Sequence, residues 1–361
     1  MDERILVTGS TGFLGRALIA SLRARGCKVS AFMRESSSES LIPQGITIVK
    51  AELTKIEPLR NILQKFDIVI HCAAQMDFAP SSVPALYATN VEGTANLAKA
   101  AAAAGVKQFI YISSSETVAP TMGDEPADEE SEPNAVFEYG KSKIIAEQEV
   151  DYACRDSLMK YTILRPTGIL GAGDVATAHQ FFWAANFGLF FFVPGSAALP
   201  GARLCYTHIS DVVKGISLTI GNPKAYGQTY FLASNSMSYE ALIRRTCAEL
   251  GRIQPFMYLP FGLTRAVIAI SAPIFKLVFK NTFLFQPIMI DQMRANRVYS
   301  SEKAKRDLGW VPAYSMEDGV SDMIRVQQNT GLLKRHSLST LALILIALAI
   351  VLLLYVIFVF W

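Results

Sequence analysis

A glycine-rich turn near the start of the chain constrains its fold more than any other feature. The run Arg4–Thr8 is apolar and partly β-branched, as in a buried parallel strand, and it leads directly into the turn. A helical pattern follows, and then a second strand from Lys28 to Met33. This order predicts a dinucleotide cradle, in which Gly9 allows the tight turn, Gly12 lets a pyrophosphate approach the backbone and Gly15 lets the helix pack on its strand.

The alternation of strands and helices continues beyond this turn. Strands are predicted at 46–49, 67–72 and 108–113, with a long alanine-rich helix over 83–104. This pattern predicts an α/β fold with a doubly wound parallel sheet, the Rossmann arrangement. We expect residues 1–170 to form the dinucleotide-binding core.

A proton-transfer couple is predicted on the helix that spans about 135–154. Tyr139 and Lys143 are four residues apart and therefore share one face of this helix. A free phenol has a pKa of about 10, and a nearby positive charge would lower it into a useful range. An isolated Tyr-x-x-x-Lys pattern is usually a surface pair, but the glycine turn upstream favours an active site. Serines 113–115 follow a strand at the carboxyl edge, where one of them can hydrogen-bond a reacting oxygen.

Several further motifs follow in order along the chain. With the Thr-Gly-x-x-Gly-x-x-Gly turn, the serine-rich strand end and Tyr139-x-x-x-Lys143, they are His71-Cys72-Ala73-Ala74, Thr89-Asn90-Val91-Glu92-Gly93-Thr94, Leu164-Arg165-Pro166-Thr167-Gly168 and Asp307-Leu308-Gly309-Trp310-Val311-Pro312. Together they resemble the extended short-chain dehydrogenase/reductases, and the resemblance covers about residues 4–330. The branch that the chain resembles most contains the 3β-hydroxysteroid dehydrogenases and sterol-4-carboxylate 3-dehydrogenases.

The resemblance implies specific roles for residues of this chain. Tyr139 resembles the catalytic acid/base, Lys143 the residue that binds the nicotinamide ribose, and Ser115 the serine that orients the substrate oxygen. Ser114 is the alternative to Ser115, and Asn90 resembles a supporting residue of the active site. The cofactor-binding residues implied are Gly9, Thr11, Gly12, Phe13, Leu14, Gly15, Arg34, Glu52, Leu53, Ala73, Ala74, Tyr139, Lys143, Pro166 and Thr167.

The end of the second strand bears on the choice of cofactor. In dinucleotide folds an acid at this point binds the ribose 2′-hydroxyl, whereas an arginine accommodates a 2′-phosphate. Met33 occupies the place of the acid, and Arg34 follows it. We therefore expect NADP(H), with NAD(H) as the alternative if Arg34 is only a solvated loop residue.

The C-terminal segment 341–361 carries no charged residue and has the length of a membrane-spanning helix. A basic linker, 331–340, precedes it, and Lys334-Arg335-His336 favour a cytosolic catalytic domain. The N-terminus enters the first strand without a signal-peptide pattern. We therefore expect a single-pass C-terminal anchor, in the endoplasmic reticulum of a eukaryote or the inner membrane of a bacterium.

The substrate is expected to bind in the lobe formed mainly by residues 171–330, while about 203–235 return to the core. Segments 181–193 and 260–285 are strongly apolar, and Pro273 is expected to break the second. Arg265, Lys276 and Lys280 share one helical face there, as in a helix lying in a membrane interface. The alternative is that both segments form the core and lid of a soluble lobe.

These features together predict a membrane-anchored enzyme that interconverts a secondary alcohol and a ketone on a sterol, steroid-like or other lipid substrate. A neighbouring carboxylate on such a substrate could then leave as carbon dioxide. The alternatives are a tethered nucleotide-sugar epimerase or dehydratase and a non-catalytic cofactor-binding subunit of a membrane complex. The net charge of +3 gives no nucleic-acid footprint, and the five cysteines and four histidines have no metal-site spacing. A homodimer is compatible with this assignment.

Overall fold

The computed structural model describes residues 3–78, 80–121, 125–171, 173–174, 177–196, 202–278 and 286–333. In these ranges the chain forms a central parallel sheet with helices on both faces. The strands are β1 Arg4–Thr8, β2 Lys28–Met33, β3 Thr47–Lys50, β4 Ile68–His71, β5 Gln108–Ile112, β6 Lys160–Pro166, β7 Gly168–Leu170, β8 Phe192–Pro194, β9 Arg203–His208, β10 Gln228–Leu232, β11 Ser236–Ser238 and β12 Met257–Leu259.

The central sheet has seven strands within the described residues, in the order β10-β6-β5-β4-β1-β2-β3. Every neighbouring pair in it is parallel. A three-stranded sheet of order β11-β9-β7 and a two-stranded β12-β8 sheet accompany it. The strand order reverses next to β1, where open α/β sheets bind their ligands.

Helices of the first unit cover both faces of the central sheet, as the doubly wound prediction requires. The helices of the described residues are α1 Phe13–Ala24, α2 Ile56–Leu63, α3 Val83–Tyr87, α4 Gly93–Ala103, α5 Glu138–Arg155, α6 Thr177–Asn186, α7 Ile209–Thr219, α8 Tyr239–Glu249, α9 Phe261–Val278, α10 Pro287–Gln292, α11 Glu302–Leu308 and α12 Met316–Asn329. Ile5 and Val7 of β1 pack in the core on the α1 and α7 side, whereas Leu6 packs on the α2, α4 and α5 side. The central strands are therefore buried on both faces, as in a parallel sheet that is covered by helices, and the α/β prediction is confirmed.

The long helix predicted over 83–104 is interrupted. A single π-helical turn, Ala88–Glu92, separates α3 from α4. Such turns add one residue to a helix and are frequent at functional sites. In this chain the turn carries Asn90, which is buried.

The chain divides into two compact units. The first comprises residues 3–169, Leu204–Ser236 and Asn296–Met316, and the second comprises the described parts of Leu170–Arg203, Met237–Ala295 and 317–333. Residues 296–316 thus join the first unit, whereas the prediction had placed them in a lobe formed mainly by residues 171–330.

Asp211 of α7 explains why the late segment 296–316 returns to the first unit. Its buried carboxylate accepts hydrogen bonds from the backbone N–H groups of Ala313 at 2.8 Å and Tyr314 at 3.0 Å. The indole Nε1 of Trp310 donates to the Asp211 carbonyl at 2.9 Å, and the Trp310 ring is fully buried. These contacts lie far apart in sequence, so no local pattern predicts them.

The break expected at Pro273 is wrong, because the backbone of α9 continues to Val278. A proline removes one backbone hydrogen bond, and the turns on either side of it maintain this helix. Arg265 of α9 is exposed and pairs with Asp291 at 3.2 Å. No helix in the described ranges is long and apolar enough to cross a bilayer. The membrane-spanning segment predicted at 341–361 lies outside these ranges, as does its linker from residue 334 onward.

Candidate active site

The glycine turn has the geometry of a phosphate-binding cradle. Gly9 adopts a φ of 65°, and a Cβ at this position would lie 2.7 Å from the Ala73 backbone nitrogen. A Cβ on Gly15 would lie 2.2 Å from the Gly9 carbonyl oxygen. The turn therefore tolerates no side chain at either position. Gly12 caps α1 without any side-chain hydrogen bond, so the first N–H groups of the helix keep their capacity for a phosphate.

The other residues predicted for the cradle surround it. Phe13 and Leu14 pack their side chains against the core, so only their backbone would be available to a cofactor. Thr11 is half-buried in the turn itself, and Ala73 and Ala74 are half-buried in the segment after β4. The space and backbone groups at this turn fit a dinucleotide.

The residues predicted for the adenosine end of the cofactor lie at the ends of β2 and β3. Ser10 ties the turn to β2 through a hydrogen bond from its Oγ to the Phe32 carbonyl, at 2.7 Å. Arg34, which follows the buried Met33, is exposed at this edge. Glu52 and Leu53 follow β3, which pairs with β2, and both are half-buried. Ser10 was not identified from the sequence, because the turn motif specifies only its glycines.

Tyr139 and Lys143 lie on α5 and are both buried, with 7% and 2% of their surface exposed. The Lys143 Nζ lies 5.9 Å from the centre of the Tyr139 ring and 4.7 Å from that of Tyr111. It donates to the Tyr111 hydroxyl at 3.2 Å and to the Ile112 carbonyl at 2.8 Å. Tyr111, which the sequence did not indicate, therefore holds the lysine beside Tyr139.

The electrostatics of the couple differ from expectation. Burial raises the pKa of Tyr139, the Glu116 charge raises it further, and a hydrogen bond with the Ser114 hydroxyl lowers it. Lys143 was expected to lower this pKa, but burial dominates it, and the Lys143 Nζ donates to Tyr111 and Ile112. Burial also lowers the pKa of Lys143 from its ordinary 10.5 to about 8. In this state the phenol is a neutral proton donor at physiological pH.

The structure distinguishes the two candidate serines. Both lie at the end of β5, and both are buried. Ser114 lowers the pKa of the Tyr139 phenol, whereas Ser115 lowers the pKa of the Tyr299 phenol. The structure therefore favours Ser114, the alternative in the sequence prediction, as the serine beside the Tyr139 phenol. Adjacent residues point to different neighbours here, and the spacing of a three-serine run cannot specify which.

Asn90 connects the π-helical turn to α5. Its Nδ2 donates to the Ser142 Oγ at 3.0 Å, and Ser142 in turn donates to the Tyr139 carbonyl at 2.7 Å. Its Oδ1 accepts from the Gln75 backbone N–H at 2.7 Å. The side-chain amide thus holds both α5 and the segment after β4.

Comparisons with known proteins agree with this geometry. A match to the NAD dependent epimerase/dehydratase family covers residues 5–233. The chain belongs to this family. It is 27% identical over 335 residues to a 3-beta-hydroxysteroid dehydrogenase of Mycolicibacterium neoaurum, covering 89% of this chain and 90% of that protein. It is also 27% identical over 327 residues to a UDP-glucose 4-epimerase of Vibrio cholerae, covering 88% of this chain and 94% of that protein.

A solved structure shows the same fold. A short-chain dehydrogenase/reductase superfamily protein of Agrobacterium tumefaciens with bound NAD has a TM-score of 0.70 and 23% identity, over 92% of this chain and 100% of that one. The prediction of an NAD(P)-dependent oxidoreductase acting on CH–OH groups, similar to the 3β-hydroxysteroid dehydrogenases, is confirmed at this level.

The end of β6 carries two further residues that were predicted to contact the cofactor. Pro166 and Thr167 are both buried there. The Thr167 Oγ1 is 2.8 Å from the Thr207 Oγ1, and the Thr167 backbone N–H donates to the Leu232 carbonyl. Its hydroxyl is therefore engaged within the protein, so contacts to a cofactor would involve the backbone at this position.

Proposed function

We propose that this protein interconverts a secondary alcohol and a ketone on a steroid, sterol or similar lipid, using a nicotinamide cofactor. The buried Tyr139 phenol, with Ser114 against it and Lys143 one helical turn further along α5, carries this proposal. The full-length similarity to a 3-beta-hydroxysteroid dehydrogenase supports the substrate class.

Each residue of the couple has a distinct task. The Tyr139 phenol donates its proton to the substrate oxygen in reduction and accepts it back in oxidation. Ser114 hydrogen-bonds the same substrate oxygen and thereby orients it. The Lys143 ammonium has three donors, of which Tyr111 and Ile112 take two, and the third serves the nicotinamide ribose. The bound nicotinamide supplies or accepts the hydride.

The proton transfer is tested by replacing Tyr139 with phenylalanine. We expect turnover of a 3β-hydroxysteroid to fall by at least about a hundredfold, because the acid/base is lost. Cofactor binding should persist, since the phenyl ring keeps the packing. Tyr152→Phe is the matched control, because Tyr152 lies on the same helix but is 64% exposed. Full activity of the Tyr139→Phe protein would refute the mechanism.

For the cofactor we propose NADP(H), on the observation that Arg34 is exposed where β2 ends. A guanidinium at this edge would pair with a 2′-phosphate. Arg34→Ala should therefore weaken NADPH binding by about tenfold or more while leaving NADH nearly unchanged. Arg25→Ala, at another exposed arginine of the same unit, should change neither. Equal effects of Arg34→Ala on both cofactors would contradict the assignment.

We also propose that segment 341–361 anchors the chain and that the substrate comes from the bilayer. The second unit exposes large apolar side chains in accord with this, namely Phe256, Met257, Leu263 and Ile270. Membrane flotation of the full chain, compared with a chain ending at residue 333, tests the anchor. Recovery of both chains in the soluble fraction would contradict it.

A tethered nucleotide-sugar epimerase remains the second candidate, because the Vibrio cholerae UDP-glucose 4-epimerase is as similar in identity. Such a site needs cations for a diphosphate. Arg297 is half-buried and forms an ion pair with Glu116 at 3.2 Å, which neutralises its charge. A turnover screen of 3β-hydroxysteroids, other lipid alcohols and UDP-glucose, with both cofactors, separates the candidates. Turnover of UDP-glucose alone would replace the lipid proposal, and no turnover at all would favour the non-catalytic subunit.

A further inference from the structure

A chain of buried hydrogen bonds crosses the first unit behind the proposed site. The Thr8 Oγ1 lies 2.6 Å from the Nδ1 of His71, and the His71 Nε2 lies 2.9 Å from the Thr94 Oγ1. Thr94 in turn donates its hydroxyl proton to the Asn90 carbonyl at 2.6 Å. The His71 ring also stacks on Tyr111, with ring centres 5.7 Å apart. All of these polar side chains are buried.

The proton positions in this chain follow from the donors available. A threonine hydroxyl has one proton, and that of Thr94 is committed to the Asn90 carbonyl. The His71 Nε2 must therefore carry the proton that it shares with Thr94. In a neutral imidazole the other nitrogen is then an acceptor, so Thr8 donates to Nδ1. The Ala73 backbone N–H donates to the Thr8 oxygen at 3.2 Å, which is consistent with this direction.

His71 has no route to act as an acid or base. Its side chain is completely buried between Thr8, Thr94 and the rings of Phe109 and Tyr111. Burial lowers its pKa to about 3, and the positive charge of Lys143 acts in the same direction. The imidazole therefore stays neutral across the range in which enzymes of this family would work.

We propose that His71 is a positioning residue: as the neutral Nε2–H tautomer, it connects the glycine turn to the Asn90 that holds the catalytic helix. Thr8 immediately precedes Gly9 of the cradle. At the other end, Asn90 reaches Tyr139 through Ser142. The His71 side chain thus fixes the positions of the glycine turn and of Tyr139 relative to each other, although the two motifs are more than a hundred residues apart in the sequence.

The tautomer can be tested without any substrate, so this test is independent of the proposed function. The chain has four histidines, and ¹⁵N-histidine labelling of the full chain gives a spectrum of four rings. The His71 ring should show a protonated Nε2, an unprotonated Nδ1 and no titration between about pH 5 and 9. Single His→Gln replacements at the other three positions assign its signals by elimination. An Nδ1-protonated ring, or one that titrates in this range, would overturn the proposal.

Two replacements of His71 separate its two contacts. The amide of asparagine lies near the position of Nδ1 and keeps the contact to Thr8, whereas that of glutamine reaches the position of Nε2 and keeps the contact to Thr94. We expect His71→Asn to lower kcat about tenfold with the cofactor KM unchanged, and His71→Gln to raise the cofactor KM about tenfold with kcat unchanged.

The kcat arm rests on the proposed function, whereas the cofactor arm can be followed through NADPH-dependent thermal stabilisation alone. His179→Gln is the control, because His179 bonds Gln327 in the second unit and should leave cofactor binding intact. If both replacements at residue 71 changed kcat and cofactor affinity alike, or changed only the melting temperature, His71 would be a packing residue and the proposal would be wrong.

Discussion

Replacing Lys143 with methionine should stabilise the protein at neutral pH while it removes activity. The ammonium group is buried, with 2% of the residue's surface exposed, and burial lowers the pKa of Lys143 from 10.5 to about 8. The protonated Lys143 amine is therefore less stable in the folded state than in the unfolded state. A lysine kept in such a place indicates a functional requirement.

The size of the effect follows from this pKa difference. Each pKa unit corresponds to about 1.4 kcal/mol, so holding the protonated amine costs the folded state about 3 kcal/mol at pH 7. Methionine would also remove the hydrogen bonds to Tyr111 and Ile112, at about 1 kcal/mol each. We therefore expect a net gain of about 1 kcal/mol in the free energy of unfolding at pH 7.

The pH dependence gives the sharper test. Below about pH 8 Lys143 is protonated in both states and the penalty is fully present. Between that value and 10.5 the folded protein releases the proton first, so the wild-type protein gains stability as the pH rises. The methionine variant lacks this contribution. Its advantage over the wild type should therefore shrink by about 2 kcal/mol between about pH 7 and 9.5.

Urea denaturation of the full chain, followed by tryptophan fluorescence at several pH values, measures this difference. Lys141→Met is the control on the same helix, because Lys141 is half-exposed and pairs with Glu138 at 2.8 Å. Its effect should stay within about 0.5 kcal/mol and not vary with pH. A stability difference for Lys143→Met that does not vary with pH would refute the reasoning.

Two further predictions concern the elements around Tyr139. Ser114→Ala should lower turnover about a hundredfold and Ser115→Ala far less, because of the two serines only Ser114 affects the Tyr139 phenol. Steady-state kinetics on both variants measures this difference. A larger loss of turnover for Ser115→Ala would show that Ser115 is the serine of the site. Gly140→Ala should destabilise the protein by about 1–3 kcal/mol and lower turnover. The added Cβ would lie 2.4 Å from the Glu116 carbonyl oxygen and would force α5 away from the serines. Gly262→Ala is the control in thermal denaturation, because nothing lies within 4 Å of a Cβ at that position, and equal effects of the two replacements would show that α5 can move to accept the added methyl group.

The parts of the fold that depend on local pattern could be predicted from the sequence. The first two strands lie where they were expected, because an unbroken apolar run followed by a glycine turn has few alternatives. The interruption before α4 could not be predicted, since alanine-rich sequence favours a continuous helix and the π-helical turn forms where Asn90 finds tertiary partners. The same holds for Pro273, which α9 accommodates.

The site shows the same division. Tyr139 and Lys143 share a helix face as their spacing requires, so sequence was sufficient to pair them. Tyr111, which holds the lysine, lies 32 residues away from it, so the spacing of residues along the helix could not predict this contact. The role of His71 was equally hidden, because its partners Thr8 and Thr94 lie 63 and 23 residues from it. Which serine faces the phenol depends on backbone angles at the end of β5 that no motif records.

The return of residues 296–316 to the first unit has a consequence for biosynthesis. A nascent chain exposes its N-terminal residues first, and domains generally fold as they emerge from the ribosome. Here the buried carboxylate of Asp211 has no backbone hydrogen-bond donors from Ala313 and Tyr314 until those residues have been synthesised. The first unit therefore cannot complete these contacts until residues 237–295 of the second unit have been translated. Truncated chains that end soon after β10 should consequently depend on chaperones.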